Sequence, residues 1–338
     1  MKAIQITEPR KLEIVEVEKP MLKDSDEVMI KVKAAGICGS DVHIYHGTNP
    51  MATYPRIIGH EFTGEVVEVG TSVQNVAIGD KVVVEPILYC GECYACRSGR
   101  PNVCEKLEAM GVHVDGGMRE FIVVPSAKAH KVSPDLPYEM SVVVEPFTIA
   151  AQSTWRGDVK KGETCLIMGA GPIGQAILQY ALLKGATCIV SDIDNERLDD
   201  AKKLGATHVI NPLEVDVVEK ARELTGGSGP NVTIDSACTL KTFEQAVEMT
   251  SPAGRVVVLG FSVEPSKIAQ VHITKKELTI VGSRLQTNKF GEVIGYLNTG
   301  ALNPEGFVTH KFHFLDAQKA MDLVEDPSIK KNKVIITF

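Results

Sequence analysis

No run of 18 or more apolar residues occurs in these 338 residues, so the sequence contains no candidate transmembrane helix. Basic tracts are also absent. The 36 Lys and Arg against 43 Asp and Glu leave a net charge of -7, which argues against nucleic acid as the main partner. Aromatic residues are scarce, at 5% with a single Trp, too few to line a slot for a long apolar ligand. The opening Met1-Lys-Ala-Ile-Gln-Ile lacks the apolar core and small-residue cleavage site of a secretory signal, so a cytoplasmic setting is expected. Thiols stay reduced there, and clustered cysteines then read as metal ligands rather than disulfides. Internal repeats, low-complexity tracts and Ser/Gly linkers are missing as well.

What remains is a chain of 44% apolar residues, longer than the roughly 250–300 residues at which a single core stops growing, and two domains are expected. To about residue 147, short apolar runs alternate with polar residues and stop at Gly, Pro or Asp, as in Val28-Met-Ile-Lys-Val-Lys and Gly64-Glu-Val-Val-Glu-Val. This period of two predicts strands of a sandwich or partly open barrel.

From Lys161 the texture changes to apolar strands separated by helical stretches. Strands are expected at Thr164–Met168, Cys188–Val190, His208–Ile210, Val232–Ile234, Arg255–Leu259 and Leu278–Val281, with helices such as Gln175–Leu183 and Phe243–Met249 between them. The segment Phe261–Lys276 is irregular. The pattern predicts an open, doubly wound parallel sheet of the Rossmann type. The last strand, Lys333–Phe338, has no sheet nearby in sequence and is expected to pair back into the first domain. The boundaries drawn are 1–147 for a mostly β catalytic domain, 148–286 for the nucleotide domain inserted in it, and 287–338 for the return.

The densest signal is Cys90-Gly-Glu-Cys93-Tyr-Ala-Cys96 followed by Cys104. Cysteines two residues apart bring two thiolates to one ion, and four thiolates in a tetrahedron form the closed geometry of structural zinc. The four would pin the lobe at 87–105, which has few apolar residues of its own. Outside the lobe, Cys38, His60, Glu61 and Glu145 offer the mixed S, N and O donors of a catalytic zinc site with an open position. Each alone has a duller reading, as a small core residue, a satisfied histidine or an exposed acid. Glu145 is the hardest to dismiss, since it follows a run of valines and a buried carboxylate without a cation is costly.

Gly169-Ala-Gly171-Pro172-Ile173-Gly174 lies between an apolar strand and a helix, the context a dinucleotide site requires. The helix N-terminus beyond it supplies free N–H donors for phosphates. Asp192, at the end of the next strand, suits the adenosine ribose hydroxyls and would repel a 2′-phosphate, favouring NAD over NADP. Arg197 lies nearby, over the adenine, on a phosphate or in a surface ion pair.

These motifs together resemble the zinc-dependent medium-chain alcohol and polyol dehydrogenases over essentially the full length. The resemblance is carried by Gly36-Ile-Cys38-Gly-Ser40-Asp41-Val-His43, Gly59-His60-Glu61, the four-cysteine lobe, Glu145-Pro146, the glycine motif and Asp192. Within the family the chain resembles the sorbitol, L-threonine and sugar-acid dehydrogenase branch. Gly111-Val-His-Val-Asp-Gly-Gly117, Glu145-Pro-Phe-Thr-Ile-Ala and Ser283-Arg-Leu look like bacterial starvation-sensing dehydrogenase-like proteins and L-galactonate dehydrogenases.

The resemblance implies a GroES-like catalytic domain, two zinc ions per chain, NAD, and a homodimer or homotetramer joined through the edge strand Leu278–Val281. It gives Cys38 and His60 as constant catalytic ligands and Glu61 and Glu145 as variable ones. It makes Asp41 the acid that orients the zinc histidine, Ser40 and His43 a proton relay, and Arg284 a contact of the nicotinamide end. The implied activity is hydride transfer between NAD and a secondary alcohol, with a polyol or sugar acid as the small-molecule substrate. His113, Arg284, Asn288 and Lys289 are candidates to contact it. Two rival readings are an NAD-binding regulatory protein with little turnover and a zinc-free quinone-reductase relative, which the ligand sets oppose.

Overall fold

The alternation of the first region becomes a seven-stranded sheet built around the strand Glu27–Ile37, in a computed structural model that describes residues 1–338. Val28, Ile30 and Val32 of that strand point into a core shared with Ile4, Ile6, Phe62, Val66, Val82, Ile122 and Ile336. One edge pairs antiparallel with Glu61–Val69, in a register that sets Gly36 opposite Glu61. The other edge pairs first with Phe121–Pro125 and then with Lys333–Thr337, where Ile37 faces Val334. The C-terminal strand thus returns to the N-terminal sheet, and Lys333 arrives next to the end of the central strand. Side chains at the two ends of the sequence share one wall for this reason.

Two compact units make up the chain. One comprises Met1–Glu145 and Phe290–Phe338, and the other Pro146–Lys289. A three-stranded sheet of Lys2–Glu8, Lys11–Glu16 and Arg56–Ile57 also belongs to the first unit. Arg56–Ile57 is too short to show any alternation in sequence.

The second unit is a six-stranded, all-parallel sheet in the order His208–Ile210, Thr187–Ser191, Thr164–Met168, Val232–Asp235, Arg255–Val258, Thr279–Gly282. In chain order this is 3-2-1-4-5-6, the doubly wound arrangement, with its switch point between Thr164–Met168 and Val232–Asp235. Its core packs Leu166, Met168, Ile189 and Val256 of the strands against Val217, Ala221, Ala246 and Val247 of the helices. Two helices begin earlier than apolar periodicity suggests. Pro172–Leu183 opens on proline, which the first helical turn accepts because an N–H at that position would have no partner within the helix. Leu240–Met249 is started by Thr239 and Thr242, which bond reciprocally to each other's backbone N–H. Within the irregular stretch 261–276 only a short helix, Gln270–Thr274, forms. No helix of the molecule is long and apolar enough to cross a membrane.

Candidate metal centres and cofactor site

The strand Glu27–Ile37 runs directly into Cys38, which caps the short helix Gly39–Tyr45. Asp41, in the first turn of that helix, is fully buried, and its carboxylate accepts from the Cys38 N–H at 2.8 Å and the Gly59 N–H at 3.3 Å. One carboxylate therefore ties together the two segments that carry Cys38 and His60. The Asp41 oxygen that accepts from Gly59 lies 3.8 Å from Nδ1 of His60, a buried atom with no hydrogen-bond partner. With that nitrogen facing Asp41, Nε2 is the ring atom left for a ligand, and it stands 3.5 Å from the Ser40 hydroxyl.

Glu61 follows on the strand Glu61–Val69 and is 1% exposed. A Cβ at Gly36 would lie 2.1 Å from its carboxylate, so glycine is required opposite it. The donor atoms of Cys38, His60 and Glu61 all lie within 4.8 Å of one another. Glu145 is not among them. Its carboxyl is nonetheless close enough to sense His60, Glu61 and Asp41, and burial raises it to about 7. Burial works to lower His60, yet Asp41 and Cys38 hold it well above its ordinary value. A thiol and buried carboxylates crowd one imidazole, and a cation is what this donor chemistry asks for. A thiol, an imidazole nitrogen and a carboxylate oxygen match the mixed donors of a zinc site with an open position.

Lys333 joins this site without having been a candidate for it in the sequence. This lysine is 4% exposed and places its ammonium 2.7 Å from both oxygens of Glu61. Burial would lower it, but Glu61 and Cys38 keep it raised. Its only sequence signal is a lysine at the start of an apolar strand. The strand register, not the spacing, brings it to Glu61 across 272 residues.

In the lobe, the sulfur–sulfur distances are 3.5 Å for Cys93–Cys96, 3.8 Å for Cys93–Cys104 and 3.5 Å for Cys104–Cys90. Four thiolates at about 2.3 Å from one ion stand about 3.8 Å apart in a tetrahedron. The lobe is therefore shaped for such an ion. Backbone N–H groups of Cys90 and Lys106 point at the Cys104 sulfur from 3.4 and 3.3 Å. The N–H groups of Cys96 and Glu105 lower the Cys93 thiol to about 6, while burial and the neighbouring sulfurs push Cys96 up to about 12. Four thiolates this close need a cation before all can be charged.

The relay residues are three apart on Gly39–Tyr45. Ser40 faces His60, while His43 is exposed and its Nδ1 lies 3.0 Å from the Thr48 hydroxyl. Contact of Ser40 with His43 is not among the hydrogen bonds formed.

In the second unit, Gly169 has φ +92°, and a Cβ at Gly174 would lie 1.9 Å from the Gly169 carbonyl oxygen. Helix and turn close up only because both are glycine. Asp192 accepts from the Ala170 N–H at 2.6 Å through one oxygen and from the Asp194 N–H at 2.9 Å through the other. Arg197 is 3.7 Å from Asp194, and its guanidinium reaches 3.9 Å from where a Gly171 Cβ would stand. Arg284 lies over the Phe261 ring at 5.4 Å, and Lys289 over Trp155 at 5.2 Å. His113 accepts the Ala109 N–H through Nδ1 at 3.0 Å. Pro172 and Ile173 form the first turn of the helix after the glycines. The N–H groups of a first helical turn have no partner within the helix, which suits a pyrophosphate.

Comparison with known proteins gives two family matches, Alcohol dehydrogenase GroES-like domain over residues 24–134 and Zinc-binding dehydrogenase over residues 172–299. Starvation-sensing protein RspB of Escherichia coli K12 is 45% identical over 342 residues, covering 100% of this chain and 99% of that protein. L-threonine 3-dehydrogenase of Pyrococcus abyssi is 38% identical, covering 96% and 95%. L-galactonate-5-dehydrogenase of E. coli K12 is 31% identical, covering 100% and 99%. Among solved structures, rspB from E. coli CFT073 complexed with the cofactor NADH superimposes with a TM-score of 0.95 at 44% identity, covering 100% of this chain and 99% of that one.

Proposed function

The chain belongs to the zinc-dependent medium-chain alcohol and polyol dehydrogenase family, and from that premise we propose that it moves a hydride between NAD and a secondary hydroxyl of a polyol or sugar acid. The observation that carries this reading is the convergence of Cys38, His60 and Glu61 on one point, with Asp41 behind the imidazole. These three would hold the catalytic zinc, with Glu145 as a carboxylate in reserve, and the lobe cysteines a second, structural ion. When bound, zinc supplies Lewis acidity that eases loss of the hydroxyl proton, and NAD supplies the hydride acceptor.

The chain's own residues do the rest. Asp41 faces Nδ1 of the His60 ring, which leaves Nε2 for the substrate side, and its charge raises the basicity of the imidazole. Ser40, 3.5 Å from the same nitrogen, is placed to take the hydroxyl proton. His43 is exposed, so its imidazole is placed to pass that proton to water. Asp192 would engage the adenosine ribose and disfavour a 2′-phosphate, with Arg197 beside it and Arg284 toward the nicotinamide end.

A small polar substrate is supported by the shortage of aromatic residues and by the names of the relatives, L-threonine and L-galactonate dehydrogenases. His113, Arg284, Asn288 and Lys289 are the candidate contacts for its hydroxyls or carboxylate. We place the enzyme in the cytoplasm, where the lobe thiols stay reduced. We also place it in a homodimer or homotetramer that pairs through the edge strand Thr279–Gly282. A single monomeric species in light scattering at micromolar concentration would remove the assembly.

The test of function is NADH formation from NAD with a panel of polyols, aldonates and hydroxy amino acids, repeated with NADP. Turnover on at least one polyol or aldonate, with NAD favoured by about tenfold or more in kcat/KM, is expected. Tight NAD binding without turnover on any of them would transfer the role to nucleotide-dependent regulation.

A further inference from the structure

At the switch point of the parallel sheet, Met168 and Asp235 end neighbouring strands in register. The glycine turn leaves one of these strands and the segment Ser236–Cys238 leaves the other. Ser236 is bonded to the turn three times over. Its N–H donates to the Met168 carbonyl at 2.9 Å, and its hydroxyl lies 2.7 Å from the same oxygen and 3.2 Å from the Gly169 carbonyl. The hydroxyl oxygen would be 3.1 Å from a Cβ on Gly169 and 3.1 Å from one on Gly174. It occupies the space that both absent side chains leave.

Asp235 holds Ser236 in that place. It is 1% exposed, and one oxygen accepts from the N–H groups of Ala237 and Cys238, each at 3.1 Å. The other accepts from the Thr242 hydroxyl at 3.0 Å, and Thr242 is also the residue that caps the following helix with Thr239. Cys238 is kept at φ +58°, a left-handed conformation that a non-glycine residue adopts only when its surroundings impose it. A buried carboxylate with three donors, a strained residue and a hydroxyl wedged between two glycines form one continuous brace. None of these groups belongs to the glycine motif or to the acid after the second strand.

We propose that Asp235 and Ser236 are positioning residues for the dinucleotide, setting the height of the glycine turn at which its N–H groups meet the pyrophosphate. The inference rests on the NAD reading above and goes past it, because it assigns affinity for the cofactor to two residues that need not touch it. Without the Ser236 hydroxyl, the turn loses its lateral support and the ends of the two strands can separate. The cost should appear in cofactor affinity before it appears in the stability of the sheet.

The experiment titrates NADH into wild type, Ser236→Ala, Asp235→Asn and Asp235→Ala. It follows NADH fluorescence and records the ligand-free melting midpoint and the kinetics at saturating NAD. Ser236→Ala should raise the Kd for NADH about tenfold, equivalent to about 1.4 kcal/mol. Its melting midpoint should stay within about 3 °C and its kcat within about twofold. Asp235→Asn retains an oxygen for the Ala237 and Cys238 N–H groups and should bind within about threefold of wild type, whereas Asp235→Ala should bind at least as weakly as Ser236→Ala. If Asp235→Ala does not fold, the Ser236→Ala and Asp235→Asn pair decides. Unchanged affinity in Ser236→Ala overturns the brace, as does equal loss of affinity and stability. Failure of the wild type itself to bind NADH would overturn the NAD reading, and the brace with it.

Discussion

The four-cysteine lobe and the Cys38 site are both clusters of metal-ligating side chains in one unit, built on opposite terms. The lobe takes four donors of one kind from the stretch between Cys90 and Cys104, and backbone N–H groups support the sulfurs. The Cys38 site takes three unlike donors from two segments and surrounds them with groups of both signs, Asp41 and Glu145 against Lys333. A closed shell of equal ligands leaves no position for a substrate, while a mixed shell with an incomplete count does. On the function proposed above, the most conspicuous motif in the chain is its scaffold, and chemistry falls to the sparser set.

This division can be broken by substitutions on either side. The largest effect is expected for His60→Ala, with turnover lower by about ten-thousandfold, zinc reduced from two ions per chain to one, and the melting midpoint little changed. Metal analysis and steady-state rates read it. Cys93→Ala should do the reverse. Loss of the lobe ion should lower stability by about 4 kcal/mol, or about 10 °C in melting midpoint, while the fraction that remains folded still turns over. If both variants lose activity and stability alike, the two clusters are not separate in role.

Lys333→Ala sharpens the comparison, because the lobe has no counterpart to this cation. It leaves the Glu61 carboxylate buried without its partner, and calorimetry should show a loss of about 3 kcal/mol, with Lys333→Arg recovering part of it.

A smaller effect concerns Glu85, just before the lobe, whose carboxylate meets the Lys128 ammonium at 2.9 Å and the His130 ring at 3.2 Å. Burial alone would raise this carboxyl, but His130 and Lys128 hold it below its ordinary value. A lowered folded-state pKa gives stability that is complete above the unfolded value and is lost as pH falls through the folded one. Glu85→Gln should therefore cost about 1–2 kcal/mol at pH 7, and in urea titrations the gap to wild type should close as pH falls through the lowered carboxyl value. A gap independent of pH would remove the ion pairs from the account.

What was legible in the sequence follows the same contrast. The lobe and the glycine turn were readable because their geometry is set over a few residues, where cysteine spacing and missing side chains act directly. The doubly wound sheet was readable from alternating apolar strands and helices. Lys333 was not, since its approach to Glu61 depends on Val334 facing Ile37 across the sheet. Glu61 and Glu145 were both candidate oxygen ligands in the sequence; the Glu61 carboxylate is the one grouped with Cys38 and His60, while Glu145 senses their charge from outside that group. Asp235 and Ser236 carry no motif, and only the parallel register of Met168 with Asp235 brings them against the glycines. Long-range register is what local pattern does not encode.

The most direct measurement is the zinc content of purified Cys38→Ala taken together with its rate of NADH formation. One zinc per chain, no detectable turnover and a melting midpoint close to that of wild type are expected. Two zinc ions with activity retained would contradict the assignment of chemistry to the Cys38 site.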